Sequence, residues 1–147
     1  MKAIFSIILF ISLIISSASA QNSIVSPPIS LGVVIPPSHQ TGNSNYILSL
    51  SDEDFKNNKY VFYTDSSATV AYLAINGSVV RLTGGLNPEN IMAYVGNGYT
   101  ITLSIDKNTE AADEGNLKIT ATLVIYNQPG QVLVKNATGS MLNISRK

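Results

Sequence analysis

The sequence predicts an all-β protein, an antiparallel β-sandwich of roughly seven to nine strands with Ig-like, Greek-key connections. Short strand-like runs recur along the chain and are separated by Asn-Gly, Gly-Gly and Pro-Gly turns. Two of the longer runs, Tyr99–Ile105 and Leu117–Ile125, alternate between apolar and polar residues, which is typical of strands with one face on a core and one in water. In the second run the predicted inward face is Leu117, Ile119, Ala121, Leu123 and Ile125. No long segment after the N-terminus carries the apolar repeat of a helix. Because cysteine and tryptophan are absent, only the architecture is predicted, not an antibody-type core.

The first 20 residues predict export. A positive start at Lys2 precedes an apolar run from Ala3 to Ile15, and small residues then end in Ala18-Ser19-Ala20. This order is typical of a secretory signal peptide, so cleavage after Ala20 is expected. The apolar run is shorter than the roughly 20 residues of a membrane span, and we expect no stable membrane insertion after cleavage. The sequence therefore predicts a secreted, periplasmic or cell-surface protein.

Residues 21–37 are predicted to be an extended N-terminal arm or first strand, and residues 38–147 the β-sandwich domain. Pro27-Pro28 and Pro36-Pro37 bracket the extended part of this arm. Proline cannot donate to a sheet ladder, so these pairs mark the ends of a strand. The apolar residues between them occupy alternate positions and are expected on one face: Ile29, Leu31, Val33 and Ile35.

Further strands are expected at short intervals along the rest of the chain. The predicted runs are Tyr46–Leu50, Tyr60–Thr64, Thr69–Ile75, Ser78–Thr83, Ile91–Val95, Tyr99–Ile105, Leu117–Tyr126, Val132–Lys135 and Met141–Ile144. Asn76-Gly77 and Asn97-Gly98 each predict a type I′ hairpin turn. Ser51 is expected to cap a short helical turn, and Asn87-Pro88-Glu89 predicts a second one.

Charge and side-chain chemistry argue against several classes of function. After residue 20 the chain has nine acidic side chains and, without Lys2, eight basic ones. A net charge near −1 does not attract nucleic acid, and we expect no nucleic-acid partner. Without cysteine, and with His39 as the single histidine, a zinc site or a histidine-based catalytic centre is not expected. The sequence therefore predicts no enzymatic activity, no metal and no cofactor.

Residues 106–115 form an acidic segment that we compared with a calcium-binding EF-hand loop. Its first positions fit, but the position that requires glycine is Ala111 and the position that requires glutamate is Leu117. The EF-hand match therefore fails, and the segment is expected to be an acidic connection between two strands. A looser calcium site between strands is the alternative.

Two other groups of residues were weighed as carbohydrate sites. Three N-glycosylation sequons occur, but chance gives about as many, so they only name candidate acceptors. The candidate acceptors are Asn76, Asn136 and Asn143. Four aromatic residues can serve either as a sugar-stacking platform or, as we favour, in packing: Tyr60, Phe62, Tyr63 and Tyr72.

The function we predict is that of an exported, non-enzymatic surface protein, a structural or adhesive subunit that can assemble by pilin-like strand donation. Ile29, Leu31, Val33 and Ile35 would then be the donated side chains, and other subunits the partners. The arm is similar to those of fimbrial subunits of chaperone–usher systems. Their final apolar strand is missing, because the chain closes with a polar segment. The alternative is a monomeric secreted or periplasmic module that binds a glycan or another protein, for example as an inhibitor.

Overall fold

The computed structural model describes residues 26–36, 45–86, 91–112 and 116–142. Its elements are β1 (Leu31–Gly32), β2 (Tyr46–Ser49), α1 (Asp52–Lys56), β3 (Phe62–Thr64), β4 (Val70–Ile75), β5 (Ser78–Leu86), β6 (Ile91–Gly96), β7 (Tyr99–Ala112), β8 (Asn116–Asn127) and β9 (Val132–Leu142). Several predictions lie outside the described residues: the signal peptide at residues 1–20, His39, the Asn87-Pro88-Glu89 turn and Asn143.

The prediction of a β-sandwich is wrong, because the strands close into a barrel. From β2 to β9 each strand pairs antiparallel with the next in sequence, and β9 pairs back onto β2 through Ile47 and Ser140. This is an up-and-down barrel of eight strands, without Greek-key connections. A sandwich and a barrel both need strands with one apolar and one polar face. The alternation in the sequence is therefore real but does not distinguish them.

The barrel interior is filled by side chains. An eight-stranded barrel is just wide enough for its own side chains to occupy the centre. The strictly alternating run of β8 confirms the predicted inward face, with Ile119, Leu123 and Ile125 fully buried. The other large residues with no exposed side-chain surface include Leu48, Phe62, Leu73, Leu82, Met92, Tyr94, Ile101 and Leu103.

The predicted Gly84-Gly85 turn is wrong, because β5 continues through both glycines to Leu86 and pairs with β6 there. The two predicted Asn-Gly turns and the helix cap are confirmed. Asn76 and Gly77 have φ angles of 49° and 80°, and Asn97 and Gly98 have φ angles of 50° and 78°. Positive φ at both central residues is what a type I′ turn requires. The Ser51 side chain accepts a hydrogen bond from the Asp54 backbone N–H at 3.1 Å, so it caps α1 as expected.

Two other strands are also longer than their local sequence indicates. The separate runs predicted from Val132 and from Met141 belong to one strand, β9, which is described as far as Leu142, and residues 106–112 continue β7 instead of forming a connection. Both extensions pair with β8. Pairing with a long neighbour therefore overrides the weak β-propensity of these polar residues. The β7–β8 register shifts between Ile105 and Lys107, which places a bulge at Asp106.

Part of the barrel wall carries an outer layer. Val34, Ile47, Tyr63 and Ala74 form a buried cluster on the outside of the wall, which we call the outer cluster. Phe55 of α1 packs against it, so the short helix is held on the barrel. Among the residues that the structure describes, no helix is long and apolar enough to cross a membrane.

Candidate functional site

The arm, defined here as residues 26–36, lies against one edge of β4. Leu31 pairs with Ile75 and Gly32 with Ala74, and the Val34 N–H then donates to the Tyr60 carbonyl at 2.7 Å. The pairing of β3 with β4 ends at Phe62 and Leu73. The arm thus occupies the edge of β4 that β3 leaves free. We call this edge, at Ala74 and Ile75, the slot.

Apolar side chains anchor the arm at two places. Ile29 is 8% exposed and belongs to the barrel core, against which Leu31 also packs, whereas Val34 is 2% exposed in the outer cluster. Val33 and Ile35 are exposed. The predicted single apolar face therefore holds only for Ile29 and Leu31. After Gly32 the arm no longer pairs with β4 and instead bonds to Tyr60. The side chain of Val34 therefore packs in the outer cluster.

Polar groups fix the start of the arm. The Asn76 side-chain oxygen accepts from the Ser30 backbone N–H at 2.8 Å and from its hydroxyl at 3.0 Å, while the Asn76 N–H donates to the Ser30 carbonyl. The Gln131 side-chain amide donates to the Ser26 carbonyl at 2.8 Å. The turn at Asn76 therefore has a second role, because it holds the arm as well as reversing the chain.

The structure places two of the candidate glycosylation residues at the surface. Asn76 is exposed in its hairpin turn, and Asn136 is exposed on β9. Thr138, the third residue of the second sequon, is buried and its hydroxyl donates to Asp52 at 2.7 Å. Glycosylation at these positions remains a prediction.

A groove of about 510 Å³, which we call the outer groove, lies between α1 and the outer face of β8 and β9 and has both polar and apolar lining. It is lined by side chains from distant parts of the chain, among them Asp52, Asp106, Lys118, Thr120 and Asn136. A second depression of about 230 Å³ adjoins it. The two share Asp52, Lys118 and Thr138, so they form one trough along the helix.

The charged groups of the outer groove are held in place by hydrogen bonds. The Lys118 ammonium lies 2.8 Å from a carboxylate oxygen of Asp52, and the Thr138 hydroxyl donates to the other oxygen. Both hydrogen bonds lower the pKa of the Asp52 carboxyl, and the bond from Lys118 has the larger effect. The Thr122 hydroxyl donates to Asp106 at 2.9 Å. Asp106 stands at the bulge of β7, and bulges commonly redirect a side chain in this way.

The aromatic residues proposed as a platform divide between the two layers. Phe62 is fully buried in the barrel and Tyr63 lies in the outer cluster, as expected for packing. Tyr63 stacks on Tyr72 with ring centroids 4.8 Å apart. Phe55 meets Tyr60 edge to face at 5.6 Å, and Phe55 also lines the smaller depression beside the outer groove.

An uncharged strip crosses strands β6 to β9 at another part of the wall. Val132 pairs with Tyr126, Tyr126 with Thr100, and Thr100 with Val95, so these residues of four neighbouring strands form one row. Val95, Val132 and Tyr126 are 56%, 59% and 44% exposed. Exposed apolar rows of this kind often mark contacts with other proteins.

Comparison of the chain with family models, with curated proteins and with solved structures finds no match. The fold and the arm therefore define only a broad class, an up-and-down β-barrel with an N-terminal arm. No group of three or more histidine, aspartate or glutamate side chains is placed to hold a metal ion within the described ranges.

The outer groove was missed from the sequence. Its acidic residues were assigned to a helix turn and to a connection between strands, and Asp52 is separated by 66 positions from Lys118. No sequence spacing relates such residues. The pairing of β8 with β7 and β9, together with the contact of α1 with β9, brings them together.

Proposed function

We propose that this chain is an exported, non-enzymatic structural or adhesive subunit that assembles by donating its arm to the slot of another copy. One observation carries the proposal: the barrel closes without the arm. Strands β2 to β9 pair all the way round, whereas β1 adds only two residue pairs on the free edge of β4. An accessory strand of this kind can leave its slot without opening the barrel.

Exchange between copies conserves the contacts of the arm. Ile29 and Leu31 enter the same core, and Val34 meets the same Tyr60 carbonyl, whether the arm comes from its own chain or from a neighbour. Exchange of an identical element is a low-cost route to assembly for this reason. The arm is joined to β2 by residues 37–44. A chain of this length can span at most about 28 Å when fully extended. That reach allows an arm to extend to an adjacent copy.

Two further observations support assembly. The chain has equal numbers of acidic and basic side chains, so copies do not repel each other strongly. The uncharged row that contains Val95, Tyr126 and Val132 offers a surface on which barrels can meet. Export rests on the N-terminal sequence pattern and places such subunits in the periplasm, at the cell surface or outside the cell. The second candidate, a monomeric binding module, is favoured by the outer groove.

Substitution of one arm residue tests the proposal. We expect the purified protein to form concentration-dependent oligomers in size-exclusion chromatography with multi-angle light scattering, and Leu31→Asp to be monomeric at every concentration. Leu31 is half-buried against the core, so a carboxylate there loses the apolar contact and part of its hydration, which opposes docking of a short arm. Circular dichroism checks that the barrel is still folded.

Ile35→Asp is the matched control, since Ile35 lies on the same arm but is 82% exposed. It should assemble like the unmodified protein. A monodisperse monomer for the unmodified protein up to millimolar concentration would reject arm donation. Equal loss of assembly in both variants would also reject it, because the effect would then come from charge and not from the slot.

A further inference from the structure

From the groups that line the outer groove, we infer that it binds a short neutral oligosaccharide. This site is separate from the arm and its slot, and nothing in the proposed assembly uses it. Its larger depression, about 510 Å³, lies within the usual range of small-molecule sites. The adjoining depression of about 230 Å³ lengthens it along α1, which suits a linear chain of sugar units.

The charge of the groove excludes strongly charged ligands. Across both depressions the lining has two carboxylates, Asp52 and Asp106, and two ammonium groups, Lys56 and Lys118. Asp52 and Lys118 already form an ion pair, with the Nζ and Oδ2 atoms 2.8 Å apart. The other two charges are opposite in sign, Asp106 negative and Lys56 positive, so neither sign dominates the lining. The lining therefore favours a ligand without net charge.

The hydrogen-bonding groups match a ligand rich in hydroxyls. Carboxylates only accept, the ammonium of Lys118 only donates, and the Asn136 amide and the Thr120 hydroxyl do both. Neighbouring hydroxyls of a sugar can donate to Asp106 and accept from Asn136 or Lys118 at the same time. Because Asp106 and Asp52 are already oriented by Thr122 and Thr138, they are held in position before a ligand arrives.

An apolar surface completes the site. Phe55 lines the smaller depression and is fixed edge to face against Tyr60 at 5.6 Å. The carbon-bound hydrogens of a sugar ring pack against such aromatic surface, while its hydroxyls reach the polar side chains. An uncharged polar peptide lacks this combination of an apolar ring face and closely spaced hydroxyls.

An array of neutral, sialylated and sulfated oligosaccharides, probed with the purified labelled protein, tests this inference. We expect binding to neutral oligosaccharides only. In a nuclear magnetic resonance titration with the best neutral one, signals of Asp106, Asn136 and Phe55 should shift. Asp106→Ala and Asn136→Ala should each weaken binding at least tenfold, since each removes a pair of hydrogen-bonding atoms.

Glu53→Ala is the matched control, because it removes an exposed carboxylate from α1 that does not line the groove. It should bind like the unmodified protein. Thermal melting shows whether each variant is still as stable as the unmodified protein. If Asp106→Ala melts at a lower temperature, its weaker binding is not interpreted, and the result for Asn136→Ala decides the test. Binding of only sulfated or sialylated glycans, no binding at all, or signal shifts away from the groove would each overturn the inference. Light scattering on the same samples reports assembly separately, so a failure here leaves arm donation untouched.

Discussion

Gly84→Ala should destabilise the barrel by more than about 3 kcal/mol, which lowers its urea midpoint far below that of the unmodified protein. A Cβ atom at Gly84 would lie 1.8 Å from the Ala93 carbonyl oxygen and 2.8 Å from the Tyr94 Cα atom. These are backbone atoms of the paired strand β6, so no side chain can rotate away. The strands must separate, and the β5–β6 pairing around Gly84 is lost.

The adjacent Gly85→Ala variant is the control, because a Cβ atom there meets nothing within 4 Å. Its φ angle is not in the left-handed region, so the change should alter stability by less than about 1 kcal/mol and can be stabilising. Urea denaturation followed by circular dichroism gives both midpoints. Equal midpoints for the two variants would show that β5 and β6 do not approach each other as closely as described.

Tyr94→Ala should cost about 3–5 kcal/mol of stability, the second large effect. The Tyr94 ring is fully buried and meets Phe62 edge to face, with centroids 5.8 Å apart. Its hydroxyl donates to the Ala68 carbonyl at 2.9 Å. Burial raises the pKa of Tyr94, so the hydroxyl keeps its proton and continues to donate. The variant loses the ring contacts and leaves a cavity in the core.

Tyr94→Phe separates the two contributions, since it removes only the hydroxyl and should cost about 1–2 kcal/mol. Tyr126→Ala is the matched control, because Tyr126 lies on the barrel wall and is 44% exposed. It should lower the free energy of unfolding by less than about 1 kcal/mol. The measurement is again the urea midpoint. A Tyr94→Ala midpoint no lower than that of Tyr126→Ala would mean that the described core is wrong.

Local features of this fold could be predicted from the sequence because their causes are local. The turns at Asn76-Gly77 and Asn97-Gly98 follow from residues that tolerate positive φ, and the α1 cap follows from the hydroxyl of Ser51. The inward face of β8 follows from alternation within one run. Each of these predictions needs only a few neighbouring residues.

Closure of the barrel could not be predicted, because it depends on residues far apart in sequence. The deciding contact is the pairing of β2 with β9, where Leu48 meets Gly139. A Cβ atom at Gly139 would lie 1.9 Å from the Ile47 carbonyl oxygen, so glycine permits this close approach. In the sequence, Gly139 follows a sequon and marks a break in a strand. Its role is visible only once β2 is beside it.

The arm and the outer groove show the same limit. Alternation predicted that Ile29 and Leu31 face the core but not the burial of Val34, which depends on Tyr60 and the outer cluster. The groove depends on the bulge that turns Asp106 towards Thr122. Bulges arise from mismatched pairing between two strands, and neither strand shows them alone.

Arm donation between copies can be measured by cysteine trapping, because the chain has no cysteine of its own. A Cβ atom at Gly32 would lie 3.4 Å from the Ala74 Cβ atom, close to the separation in a disulfide. Gly32→Cys and Ala74→Cys are made in separate copies, purified reduced, mixed and oxidised. Ile35→Cys mixed with Ala74→Cys gives the background of random collisions. We expect a disulfide-linked heterodimer of the first pair, well above that background. A double variant with both cysteines in one chain shows whether the disulfide can form at all. If the double variant forms its internal disulfide but the mixture gives no linked heterodimer, arm donation is contradicted.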